Sequence, residues 1–157
     1  MTDARTLGAN VAIEAFQLFR LLGFESLAQA LGADGEEREQ IEYLAGMAMG
    51  RALIRQGRLA GTTTEQVLDS FVTFYDAMAL GLVYYSTAGD GSWTVGIREC
   101  AGCDGIELAH KPVCFVEAGM IAGLLSEATG LEYTAREHRC IGGLGDHACE
   151  FVLLVQK

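Results

Sequence analysis

The chain has 157 residues, half of them hydrophobic, with 11 basic and 21 acidic side chains and a formal charge of −10. That length suits a single domain, 1–157, able to bury about two thirds of its unfolded surface, and the composition excludes disorder, collagen-like repeats and a disulfide-dense scaffold. The acidic balance, with its basic residues scattered, argues against a nucleic-acid surface, which needs clustered Lys and Arg.

Asp3, Arg5 and Glu14 break any apolar signal region, and the weakly charged stretch from Ala77 to Ala88 is too short to span a bilayer. A soluble cytoplasmic protein is expected. From Leu7 to Leu31, apolar residues including Val11, Ile13, Phe16, Phe19, Leu22 and Leu27 recur at helical spacing. Val11, Phe16 and Phe19 mark this helix as the candidate surface for a homodimer. A second helix is expected from Glu36 to Gln56, carrying Ile41, Leu44, Met47, Ala48 and Leu53. Thr62-Thr63-Thr64-Glu65 fits a capping box with Glu65 reaching back, and opens a third helix to about Leu80.

The second half changes period. Leu82–Thr87 and Trp93–Cys100 read as strands joined by a turn at Ala88-Gly89-Asp90-Gly91. The stretch from Cys100 to Gly105 reads as a turn, and Ile106–Ala109 as a short strand. Pro112 sits where a helix begins and Gly130 just past its end. Gly119 and Gly123, four apart on that helix, allow a neighbouring backbone to approach closely. Two more strands, about Leu131–Arg139 and Cys149–Val155, flank a glycine-rich loop from Ile141 to His147 that opens no helix. The pattern predicts an α+β fold: an antiparallel twisted sheet with helices packed on one face. A mainly helical half, 1–80, precedes a β-hairpin–helix–β-hairpin half, 81–157.

All five cysteines (Cys100, Cys103, Cys114, Cys140 and Cys149) fall in the second half. In a chain without a secretion signal, such clustering points to metal or thiol chemistry more than to disulfides. Cys114, Glu137, Cys140 and Cys149 would fill a tetrahedral zinc site and leave no open position, so that zinc would be structural. Buried cysteine is also a common small hydrophobe, and spacing alone leaves both readings open. Cys100-x-x-Cys103 is a second metal or redox candidate, with Cys140 and Cys149 as possible co-ligands; no helix N-terminus lowers its thiol pKa. His147, inside the loop, is a reserve donor.

The stretch from Lys111 to Val152 resembles the 4-vinyl reductase domain family. The shared features are the Pro112-x-Cys114 helix with Gly119, Gly123 and Gly130, then Glu137-x-x-Cys140, then Gly145-Asp146-x-x-Cys149-x-Phe151. The resemblance implies a fold related to the TRAPP-type vesicle-tethering subunits, a tendency to dimerise, and structural zinc on Cys114, Glu137, Cys140 and Cys149. One departure stands out: the spacing from Cys140 to Cys149 is one residue longer than usual, with Gly142-Gly143 looking like the insertion. The family also implies a pocket between helices and sheet, with Trp93 at the place of a pocket tryptophan.

Phe71, Tyr75, Met78, Tyr84, Trp93 and Phe115 are the candidate pocket residues, with ordinary core packing as the alternative reading. Neither a Walker loop, a nucleophile elbow nor a Rossmann fingerprint is present. No catalytic residue or organic cofactor is assigned. Glu137 and His138, adjacent on a strand, should face opposite ways. A zinc-stabilised sensor or carrier of a hydrophobic, aromatic or tetrapyrrole-like molecule, working through a partner, is the first reading. A reductase or accessory enzyme of tetrapyrrole metabolism, and a ligand-free assembly subunit, are the alternatives.

Overall fold

The computed structural model describes residues 23, 24, 26–88, 91–103, 105, 106 and 108–156. Most of the first expected helix, with Val11, Phe16 and Phe19, lies outside them; residues 26–30 are helical and end in a turn at 31–32. The described elements are α1 (Gly35–Arg55), α2 (Thr64–Ala77), β1 (Leu82–Thr87), β2 (Trp93–Arg98), α3 (Phe115–Thr129), β3 (Glu132–Arg139), the one-turn α4 (Ile141–Leu144) and β4 (Cys149–Gln156). The four strands form one antiparallel sheet in the order β1-β2-β4-β3, with helices packed against it. Among the described residues, no helix is long and apolar enough to cross a membrane.

The sheet face that meets the helices follows from register. Val95 pairs with Phe151 and Ile97 with Cys149; Phe151 pairs in turn with Glu137, and Leu153 with Ala135. Because side chains alternate along a strand, these residues share one buried face. α3 covers it. Its residues from Val116 to Leu125 are all buried, so it has almost no polar side.

α1 lies along the back of α3 at backbone contact. A Cβ added at Gly46 would collide with the carbonyl oxygen of Val116, and one at Gly50 with that of Met120. The reciprocal holds: Gly119 faces the carbonyl of Tyr43, and Gly123 that of Met47. The close approach expected at Gly119 and Gly123 is therefore made to α1, through a matching glycine pair that the sequence reading passed over. Leu44, expected on the apolar side of α1, is half exposed.

Three local expectations are corrected. The cap of α2 is Thr63, whose hydroxyl accepts from Gln66 N (3.3 Å), and Gln66 rather than Glu65 reaches back, accepting from Thr62 N (3.1 Å). Ile106, Leu108 and Ala109 belong to no strand. The glycine-rich segment does open a helix, the single turn α4.

Candidate metal centre

Four segments bring the sulfurs together. Cys114 is the N-cap of α3, one residue outside the helix, and its side chain makes no cap bond. Cys140 caps α4 and its sulfur accepts from Gly143 N (3.3 Å). Cys149 opens β4, and its sulfur accepts from Ile141 N (3.4 Å). Cys100 and Cys103 sit in the turn after β2, which is tied back to the end of α2 by Ala101 N donating to Leu80 O (2.9 Å). All five cysteines are buried and free. Glu137 joins them from β3: a bulge between Glu137 and Arg139 takes up one residue there, so Glu137 points inward at 7% exposure while His138 is exposed beside Glu150.

Glu137, Cys140 and Cys149 converge on Cys114, the four ligand atoms lying within 4.8 Å of one another. Zinc–sulfur bonds of about 2.3 Å in a tetrahedron put sulfurs about 3.8 Å apart. Cys114 and Cys140 are 3.9 Å apart, and Cys114 and Cys149 3.7 Å. Glu137 Oε2 accepts from Cys114 N (2.8 Å), while its buried Oε1 has no hydrogen-bond partner. A buried carboxylate oxygen without a donor is costly, and a cation would satisfy it. The donor set, its spacing and this orphaned oxygen together fit a divalent metal ion.

The electrostatics agree. Burial first, and then the charge of Cys140, push the Glu137 carboxyl up to about 9. Cys100 is held well below the ordinary thiol range by hydrogen bonds from Cys103 and then from Cys114 and Cys149. Cys114 and Cys149, each with Cys100 as first partner, are pushed well above it. Negative sulfur is thus sheltered by neighbouring S–H groups, a role that a metal takes over when thiols deprotonate to bind it.

Cys100 and Cys103, the minor candidates from sequence, sit within the cluster: with Cys114 and Cys149 they form a second set inside 4.8 Å, and Cys103 is 3.3 Å from Cys149. His147 is exposed and belongs to neither set. The extra residue between Cys140 and Cys149 is absorbed by α4. A Cβ at Gly142 would press on the Cys103 carbonyl, and one at Gly143 would collide with that of Lys111.

The six expected pocket residues scatter. Phe71 is core, fully buried 4.5 Å from the Tyr75 ring. Met78 is half exposed, and Trp93 packs on Tyr85. Tyr84 lies on the opposite sheet face, where its hydroxyl donates to Glu150 (2.7 Å) and its ring covers Gly96; strand alternation separates it from Tyr85. Only Tyr75 lines the larger apolar cleft, of about 530 Å³, between α1, α2 and α3, together with Leu53, Phe74, Leu80, Met120 and the buried Glu117. Phe115 lines a second cleft of about 450 Å³ beside Tyr43, Lys111 and Glu137. Glu117 was not anticipated from sequence. It sits on the cleft, and its charge is felt at Cys100, which it raises.

Residues 93–155, which contain every cysteine and Glu137, match the vinyl-4-reductase domain family. Three solved structures share the fold. A vinyl-4-reductase family protein from Methanocaldococcus jannaschii has a TM-score of 0.65 at 15% identity, covering 96% of this chain and 85% of that one. Trafficking protein particle complex subunit 3 from Naegleria fowleri, covalently bound to palmitic acid, has a TM-score of 0.68 at 17% identity over 93% and 98% of the two chains. The phenol-responsive sensory domain of the transcription activator PoxR, with phenol, has a TM-score of 0.60 at 18% identity over 93% and 75%. The chain thus carries a vinyl-4-reductase domain at residues 93–155, in a fold similar to those of a vinyl-4-reductase family protein and a vesicle-trafficking subunit.

Proposed function

We propose that this chain is a zinc-stabilised domain that binds a small hydrophobic molecule and acts as a sensor or carrier, through a partner protein or a second copy of itself. The observation that carries the reading is the buried, half-unpartnered carboxylate of Glu137 among sulfurs at zinc-ligand spacing. Cys114, Glu137, Cys140 and Cys149 would hold the ion. Four protein ligands leave no site for water or substrate, so its work is to join the start of α3 to β3 and β4.

The apolar cleft between α1, α2 and α3 would take the ligand. Its walls are Leu53, Phe74, Leu80 and Met120, with Tyr75 and Glu117 as polar groups to orient a guest. That a protein of this fold is seen with phenol and another with palmitic acid supports the chemical class. Glu117 offers a route for a signal, since it borders the cleft and also acts electrostatically on Cys100. Cys140→Ala should lose metal and lower the melting temperature sharply; unchanged metal content and melting would refute the zinc. Native mass spectrometry of the protein from its own host tests the other half, and a chain that never carries a small molecule would refute the sensor or carrier role.

A further inference from the structure

Two sets of four ligand atoms overlap in the sulfur cluster. Cys100, Cys103, Cys114 and Cys149 form one; Cys114, Glu137, Cys140 and Cys149 form the other. Cys114 and Cys149 belong to both, whereas Cys100 and Cys103 belong only to the first, and Glu137 and Cys140 only to the second. Two tetrahedral ions need eight ligand positions. Six protein groups supply them when two groups bridge, and thiolate sulfur has the spare lone pairs to bridge.

We propose that the cluster holds two divalent metal ions of the zinc type, bridged by the sulfurs of Cys114 and Cys149. One ion is completed by Cys100 and Cys103, the other by Glu137 and Cys140. The inference rests on the zinc reading above and adds a second ion to it.

Geometry supports the sharing. The two bridging sulfurs are 3.7 Å apart. Cys149 touches Cys103 on one side (3.3 Å), and Cys114 touches Cys140 on the other (3.9 Å). A single ion on the second set would leave Cys100 and Cys103 fully buried against its ligand sulfurs, with no ion of their own. A second dication uses both. The longer Cys140–Cys149 segment also serves this set. Its extra turn, α4, lays Gly142 against the Cys103 carbonyl and holds the Cys100–Cys103 turn over Cys149. Soft thiolates with one carboxylate select zinc-like ions over magnesium or calcium.

The test is zinc titration of the metal-free, fully reduced wild-type chain, read by elemental analysis of the folded protein, with X-ray absorption at the zinc edge. Two zincs per chain and a zinc–zinc scattering shell are expected, falling to one zinc and no shell in Cys103→Ser. One zinc per chain in the wild type overturns the second ion and leaves the single-zinc reading standing; none overturns both. Two zincs without the shell overturn the bridging. Should Cys103→Ser not fold, the wild-type stoichiometry and shell decide the matter alone.

Discussion

α3 is held in two unlike ways. Along its flank, Gly119 and Gly123 meet the backbone of α1 at Gly46 and Gly50, and the contact depends only on the absence of side chains. At its start, Cys114 meets sulfurs and a carboxylate from β3, β4 and the turn after β2, and that contact depends on what charge is present. The first is a matter of volume and needs no partner. The second assembles like-charged groups in a buried place, which is unfavourable unless a cation joins them. A single helix can therefore be released by two independent routes, one steric and one chemical.

The largest effect should come from the chemical route. Structural zinc contributes apparent free energies of about 10–16 kcal/mol in zinc-finger peptides, against a whole-domain stability of about 5–15 kcal/mol. Stripping the metal with a chelator should abolish cooperative melting, followed by circular dichroism. A chelated protein that melts as before would mean that packing alone seats the start of α3.

Next comes the steric route. Gly119→Leu drives a side chain into the Tyr43 carbonyl, and overpacking of this kind costs about 1–3 kcal/mol or more. Urea unfolding at saturating zinc should show a loss at the upper end of that range, with the zinc content of the folded fraction unchanged. Zinc lost in proportion would show that the two holds are one.

The smallest effect belongs to neither and calibrates both. Tyr85, donating to Asp69 Oδ1 (2.5 Å), ties β1 to α2, and that hydrogen bond, with burial second, pushes the phenol up to about 12 from 10.0. The unfolded phenol ionises first, so its contribution is complete below pH 10 and is lost as pH rises towards 12. Tyr85→Phe should be slightly less stable than wild type at neutral pH, and thermal melts should show the gap closing across that window. A gap constant with pH would separate the hydrogen bond from the phenol's titration.

The sequence made the α+β plan legible because periodicity and turn residues are local. α1, α2, the strand pairs and the start of α3 near Pro112 follow from them within a residue or two. Glu137, Cys140 and Cys149 were readable because adjacent paired strands bring their ends together. Cys100 and Cys103 were harder: their turn reaches the cluster through the Ala101–Leu80 hydrogen bond, a link across the fold that no spacing reveals. The cleft was the least legible. Its walls are set by how far α1 stands from α2 and α3, so Tyr75 was placed there while Leu53, Met120 and Glu117 were missed. The signal for α1 was available in Gly46 and Gly50, whose spacing repeats that of Gly119 and Gly123.

The pairing of β4 carries a consequence for how the chain reaches its final shape. Cys149 faces inward because it stands opposite Ile97. A slip of one residue would turn Cys149, Phe151 and Leu153 to the outside and bring Glu150 and Val152 in. Such a mis-threaded hairpin would withdraw one sulfur from both ligand sets at once. Any ion held there would act as a proofreader, rewarding only the correctly aligned strands.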